Sequence, residues 1–125
     1  VSEDMSFFRK FKQDILLSIN TSMPAKVISY DKAQREAKVQ PLYKSKEKGR
    51  EPVTLPVLES VPVLFQRFEV DGVEREYLPV IRAGDIVLLS FSQRELDDAL
   101  TGQPAYPSPN RLFPLTGAVI VGVIT

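Results

Sequence analysis

At 125 residues the chain is long enough for one domain with a real core and too short for two of ordinary size. Its residues are 43% hydrophobic and 26% charged, as in globular proteins, and 16 basic side chains balance 16 acidic ones, which gives non-specific nucleic-acid binding no electrostatic support. Cysteine and histidine are both absent, which excludes disulfides, thiol nucleophiles, the usual zinc sets and the commonest general base.

Residues 1–20 predict a helix. Phe8, Phe11, Ile15 and Ile19, joined by Leu16, recur at i, i+3 and i+4 spacing and make one apolar stripe, with Arg9, Lys10, Lys12 and Gln13 mostly off it. Ser2 is the predicted cap, ahead of Glu3 and Asp4, whose charges suit a helix N-terminus. Charges punctuate this segment, unlike a secretion signal, and no apolar run approaches the roughly 20 residues that span a bilayer. Pro24 ends the helix by forcing Met23 toward extended geometry.

From Ala25 the period changes to two. "AKVISY" alternates, Asp31–Gln34 supply a turn, and "EAKVQPLY" returns with Ala37, Val39 and Pro41 on one face, so a β-hairpin is expected. "KSKEKGRE" is polar, with Gly49 as a flexible point, and reads as an exposed loop. Residues 52–68 are apolar but carry Pro52, Pro56 and Pro62; proline cannot donate to a ladder, so this is an edge strand or two short strands with an extended link. Asp71-Gly72 marks a hairpin turn, a turn at Gly84–Asp85 follows, and Ile86–Phe91 is the most apolar strand. A short charged helix is predicted next, around Arg94, Glu95, Asp97 and Asp98. Residues 103–114 hold four prolines and read as a loop, and "AVIVGVIT" closes the chain as a buried strand.

Five or six short strands with turn signals between them predict a mainly β fold: a small antiparallel OB-type Greek-key barrel with an N-terminal helix and one short internal helix. Residues 1–22 form a docking helix in this reading and residues 23–125 the barrel domain. Val27, Val39, Val87, Leu89 and Ile120 are expected to point inward.

Three patterns have a functional and a plain structural reading. Arg94 and Asp98 are four apart and pair across one helical turn, an exposed contact of about 0.3–0.5 kcal/mol. Asp97 and Asp98 point about 100° apart, which does not hold two carboxylates across one substrate bond, so a solvated face is favoured over a catalytic one. The loop Lys44–Arg50 is basic enough to grip a polyanion, but Tyr43 is its only neighbouring aromatic, and single-stranded nucleic-acid sites pair positive grooves with several stacking rings. The apolar stripe of the first helix either packs on its own barrel or docks on another protein. Five large apolar side chains make a sizeable patch if left bare, and Phe8, Phe11, Ile15, Leu16 and Ile19 are the candidate partner-binding residues.

The order of features adds to this. "SMPAKVISYDKAQREAKVQPLY", "LPVLESVPVLFQ", "LPVIRAGDIVLLSFSQRELDDAL" and "RLFPLTGAVIVGVI" follow one another over residues 23–125. This series resembles the N-terminal OB-fold domain of the central spike, the membrane-puncturing protein of contractile-tailed phage baseplates. The matching positions are Pro24, Val39–Pro41, Pro62–Val63, Gly84–Phe91, Arg94–Asp97 and Ala118–Gly122; Thr116-Gly117-Ala118 stands where the family pattern has Ser-Asp-Ala. The resemblance implies a structural protein and no enzyme, cofactor or metal. It implies a homotrimer held by baseplate hub proteins, meeting the target cell envelope during puncture, with no specific nucleic acid. Its place would be the virion tail baseplate, assembled in the host cytoplasm. The family's β-helix and histidine-bearing tip have no counterpart in these residues. The alternative, from a different class, is an OB-fold binding module for oligonucleotide or glycan; lysozyme-like carboxylate chemistry stands third.

Overall fold

The computed structural model of the chain describes residues 3–18, 21–45, 49–93, 96, 99–104 and 114–125. One helix, α1 (Glu3–Ser18), precedes nine strands: β1 (Ser22–Asp31), β2 (Glu36–Pro41), β3 (Lys44–Ser45), β4 (Val53–Thr54), β5 (Leu58–Pro62), β6 (Gln66–Val70), β7 (Val73–Tyr77), β8 (Ile86–Phe91) and β9 (Ala118–Val123). Two 3-10 turns, Ala99–Thr101 and Leu115–Gly117, lie between β8 and β9. The expected cap Ser2 and the charged cluster Arg94, Glu95, Asp97 and Asp98 fall outside the described residues.

β1 begins at Ser22, earlier than the alternation that starts at Ala25. Pro24 is tolerated inside it because of where its missing N–H would point. The Pro24 carbonyl accepts the Leu42 N–H at 3.0 Å, and an extended residue turns its N–H and C=O to the same flank. On that flank the β1–β2 ladder is already ending, at Ala25↔Pro41. The following turn is set by Asp31, whose Oδ1 accepts the N–H groups of Ala33 (3.0 Å) and Gln34 (3.2 Å), while Arg35 takes a left-handed φ of 56°.

The main sheet runs β5-β2-β1-β8-β9, antiparallel throughout. Bulges at Ile28 in β1 and Val121 in β9 add one residue each, bend their strands and curl the sheet. Its two edges then meet: Val63, just after β5, bridges Ile120 of β9 in parallel, and the Leu64 N–H donates to the Ile120 carbonyl at 3.0 Å. This is the OB-type strand order, and the fold is the mainly β, antiparallel one that the sequence predicts. Pro56 sits in the link between β4 and β5 and Pro62 ends β5, so the proline-rich segment is two short strands with an extended connection. The polar segment after Tyr43 differs from the expected loop at its start, where Lys44 and Ser45 pair with Thr54 and Val53 as a small ribbon.

The core follows from period two. Val27, Val39, Val87, Leu89 and Ile120 are each 1% exposed or less and are the largest fully buried side chains, as their alternation predicts. Among the described residues no polar or charged side chain is buried. The turn before β8 is tied to the middle of the barrel: Gly84, at φ 94°, donates to the Val27 carbonyl (2.8 Å), and the Asp85 carbonyl accepts the Val27 N–H (2.8 Å). Only glycine takes that φ without strain.

Candidate docking surfaces

The stripe on α1 is bare. Every residue from Met5 to Leu16 is exposed, with Phe8 at 65% and Phe11 at 56%. The described side chains of this stripe are thus left uncovered by the barrel. Ile15 and Leu16 are exposed too, and Ile19 lies outside the described residues.

The structure also redraws the stripe. At 100° per residue, Phe7, Phe11, Ile15 and Phe8 fall in one arc of about 100°. Leu16 lies beyond Lys12, toward Arg9, so it borders the stripe. Phe7, which the sequence reading passed over, sits in the stripe with its ring nearly parallel to that of Phe11 (6.2 Å between centroids) and edge-on to Phe8 (5.7 Å). The i, i+4 spacing of Phe7 and Phe11 was the available signal. Burying such a stripe contributes on the order of 5–10 kcal/mol by area transfer, before ordering costs.

A second bare surface is the β6–β7 hairpin, turned by Asp71 (φ 51°) and Gly72 (φ 76°). Its register places Gln66↔Tyr77, Phe68↔Arg75 and Val70↔Val73 on one face and Arg67↔Glu76 and Glu69↔Glu74 on the other. The first face carries exposed rings, Phe68 at 51% and Tyr77 at 49% with their centroids 5.8 Å apart, beside the polar Gln66 and the cationic Arg75. The second face anchors the hairpin to the barrel. One carboxylate, Glu76, takes Arg35 Nη2 on Oε2 (3.2 Å) and Arg67 Nε on Oε1 (3.1 Å). Both guanidinium groups also lie over the Phe65 ring, at 4.1 Å for Arg35 and 5.3 Å for Arg67. Each exposed pair contributes about 0.2–1 kcal/mol, and sharing one carboxylate and one ring makes the four groups a network.

The basic loop is less informative. Tyr43 and Lys44 are exposed, and residues 46–48 lie outside the described residues. Among the described residues no group of three or more acidic side chains is placed to hold a metal ion.

Fold and surface together define a small OB-type barrel domain that carries two uncovered apolar elements, one at its N-terminal end and one between β5 and β8. Residues 23–122 match the family described as phage protein Gp138 N-terminal domain, and the chain belongs to that family. The match runs from the first buried residue of β1 into β9, so it takes in nearly all of the barrel and begins after α1. No curated protein matches the chain. The chain is thus a phage protein, and a structural role in the virion is the class of function that family and fold support.

Proposed function

We propose that this domain is the OB-fold part of the central spike beneath a contractile-tail baseplate, where it links hub to spike as a homotrimer and makes or breaks no bond. The observation that carries the reading is a phage-family barrel with a bare aromatic helix ahead of its first strand. A helix of 16 residues is marginal alone in water, and its stability comes from packing one face against something. With the barrel core closed by its own strands, that something is another chain: a baseplate hub protein or a neighbouring spike subunit.

Antibody labelling of assembled particles, viewed by electron microscopy, tests the location. Signal at the distal end of the tail is expected, and signal on the head or none on intact particles overturns the reading. Light scattering tests the trimer of 14.0 kDa chains, and a monomer at every concentration counts against it.

A further inference from the structure

Among the described residues β6 and β7 pair only with each other, and a two-stranded ribbon is marginal in water without a third strand or a packed face. The outer face of this hairpin holds Phe68, Tyr77, Val70 and Val73 around a single charge, Arg75. Every acidic side chain of the hairpin lies on the other face or at the tip. Aromatic rings and arginine, with lysine and carboxylates left out, make up the centre of protein–protein contacts. Arg75 is exposed and has no ion pair among the described residues.

The barrel carries a hollow of complementary character, a cleft of about 630 Å³ between β5 and the Leu115–Gly117 turn. Pro56, Leu58, Val61 and Leu115 make it apolar, and among the described residues Glu59 is the one charge that lines it. Glu59 meets Lys38 at 3.5 Å, and with 72% of its side chain exposed the carboxylate keeps lone pairs for a second cation. Such a volume lies within the range of clefts that enclose small ligands, and it admits the two rings of the hairpin. Cleft and hairpin lie on either side of the Val63↔Ile120 bridge. Residues 56–61 and 114–118 come before it along the two parallel segments, and residues 66–77 come after it. A chain does not fill its own cleft, since Phe68 and Tyr77 stand half exposed.

We propose that the β6–β7 hairpin of one copy seats Phe68 and Tyr77 in the β5 cleft of the next copy, with Arg75 on Glu59. The projection has one unpaired cation and the hollow one solvent-facing carboxylate, so the fit covers the rings without burying a lone charge. The contact joins two different patches of the same chain, and it closes into a ring when the rotation between copies allows. It rests on the homotrimer reading and adds the surfaces that hold the copies together.

The chain has no cysteine, so an introduced thiol is unique and cross-linking tests the contact directly. Full-length Val73→Cys and Ser60→Cys chains are co-expressed, and the purified oligomer is treated with a short bis-maleimide. Denaturing electrophoresis should show linked dimers from the mixture and none from either variant alone. Adding Arg75→Glu to the Val73→Cys chain should cut the linked fraction about tenfold or more, and Glu59→Arg in the Ser60→Cys chain should restore it. Circular dichroism on each variant checks that the barrel is intact. Links within Val73→Cys chains alone would mean that hairpins meet one another, and the inference falls. Linking that survives Arg75→Glu, or is not regained with Glu59→Arg, removes the charge pairing that selects this partner, and the inference falls too. No link from an oligomer that light scattering shows to be a trimer removes the inference and leaves the trimer standing. A parent chain that is itself monomeric removes both.

Discussion

Strand β8 and helix α1 are made from similar apolar residues and have opposite surroundings. Val87 and Leu89 are fully buried, while Phe8 and Phe11 stand more than half exposed. The period of the pattern identifies the face in both cases. What covers the face depends on neighbours: β8 lies between β1 and β9 in a curled sheet, whereas α1 meets no comparable surface among the described residues. An apolar stripe is thus a statement about a missing environment, which the chain supplies for β8 and leaves open for α1.

The contrast predicts unequal responses to mutation. Leu89→Ala should destabilise the domain by about 2–5 kcal/mol, because it empties a closed core site that relaxes only partly. Urea denaturation reads the change directly, and a loss below about 1 kcal/mol would mean that β8 is not the buried strand described here. Deleting residues 1–20 should change the stability of the barrel by less than about 1 kcal/mol, since exposed residues stabilise little, and should abolish incorporation into the tail. A truncated chain that unfolds or aggregates would show the helix to be part of the barrel after all, and the comparison would collapse.

The barrel was legible because burial on one side of a strand writes itself into alternate residues. That is why all five expected core positions are buried; the Asp71-Gly72 turn falls where the sequence puts it because both residues tolerate the left-handed φ that the turn requires. Other features escaped the sequence reading, each for a physical reason. Phe68, Val70, Val73 and Tyr77 share one face of the hairpin, and the sign that this face stays bare was Arg75 among them, which no core strand would carry. The position of Phe7 was readable from its spacing to Phe11, but a stripe traced from Phe8 steps past it. The network at Glu76 joins Arg35 to a residue 41 positions away, a proximity that only barrel closure creates. Pro24 argued for a strand starting after it, and only the end of the β1–β2 ladder explains why it starts before.

That network gives a sharper, smaller test of the second bare region. Glu76→Gln removes both ion pairs while keeping the shape of the side chain. It should cost about 0.5–1.5 kcal/mol, at the upper end for exposed pairs because two guanidinium groups share the carboxylate. The cost should shrink in 1 M salt, where the screening length falls to about 3 Å. A loss unchanged by salt would mean that packing of Arg35 on Phe65, rather than charge, holds the hairpin to the barrel.

The smallest effect is expected at Asp97 and Asp98, the pair that most resembles a site in the sequence. On the helix that the sequence predicts here, adjacent residues would point about 100° apart and Arg94 would stand one turn from Asp98, so the two carboxylates are not expected to face one reacting bond. Both features describe a solvated, charged face, for which single substitutions usually fall within about 0.5 kcal/mol of neutral. Asp97→Asn and Asp98→Asn should therefore leave the denaturation midpoint and tail assembly nearly as they are. Loss of assembly with the barrel still folded would make this segment a third contact surface beside α1 and the hairpin. A loss of cell-wall clearing, if the parent shows any, would turn the pair into a catalytic one and end the purely structural reading.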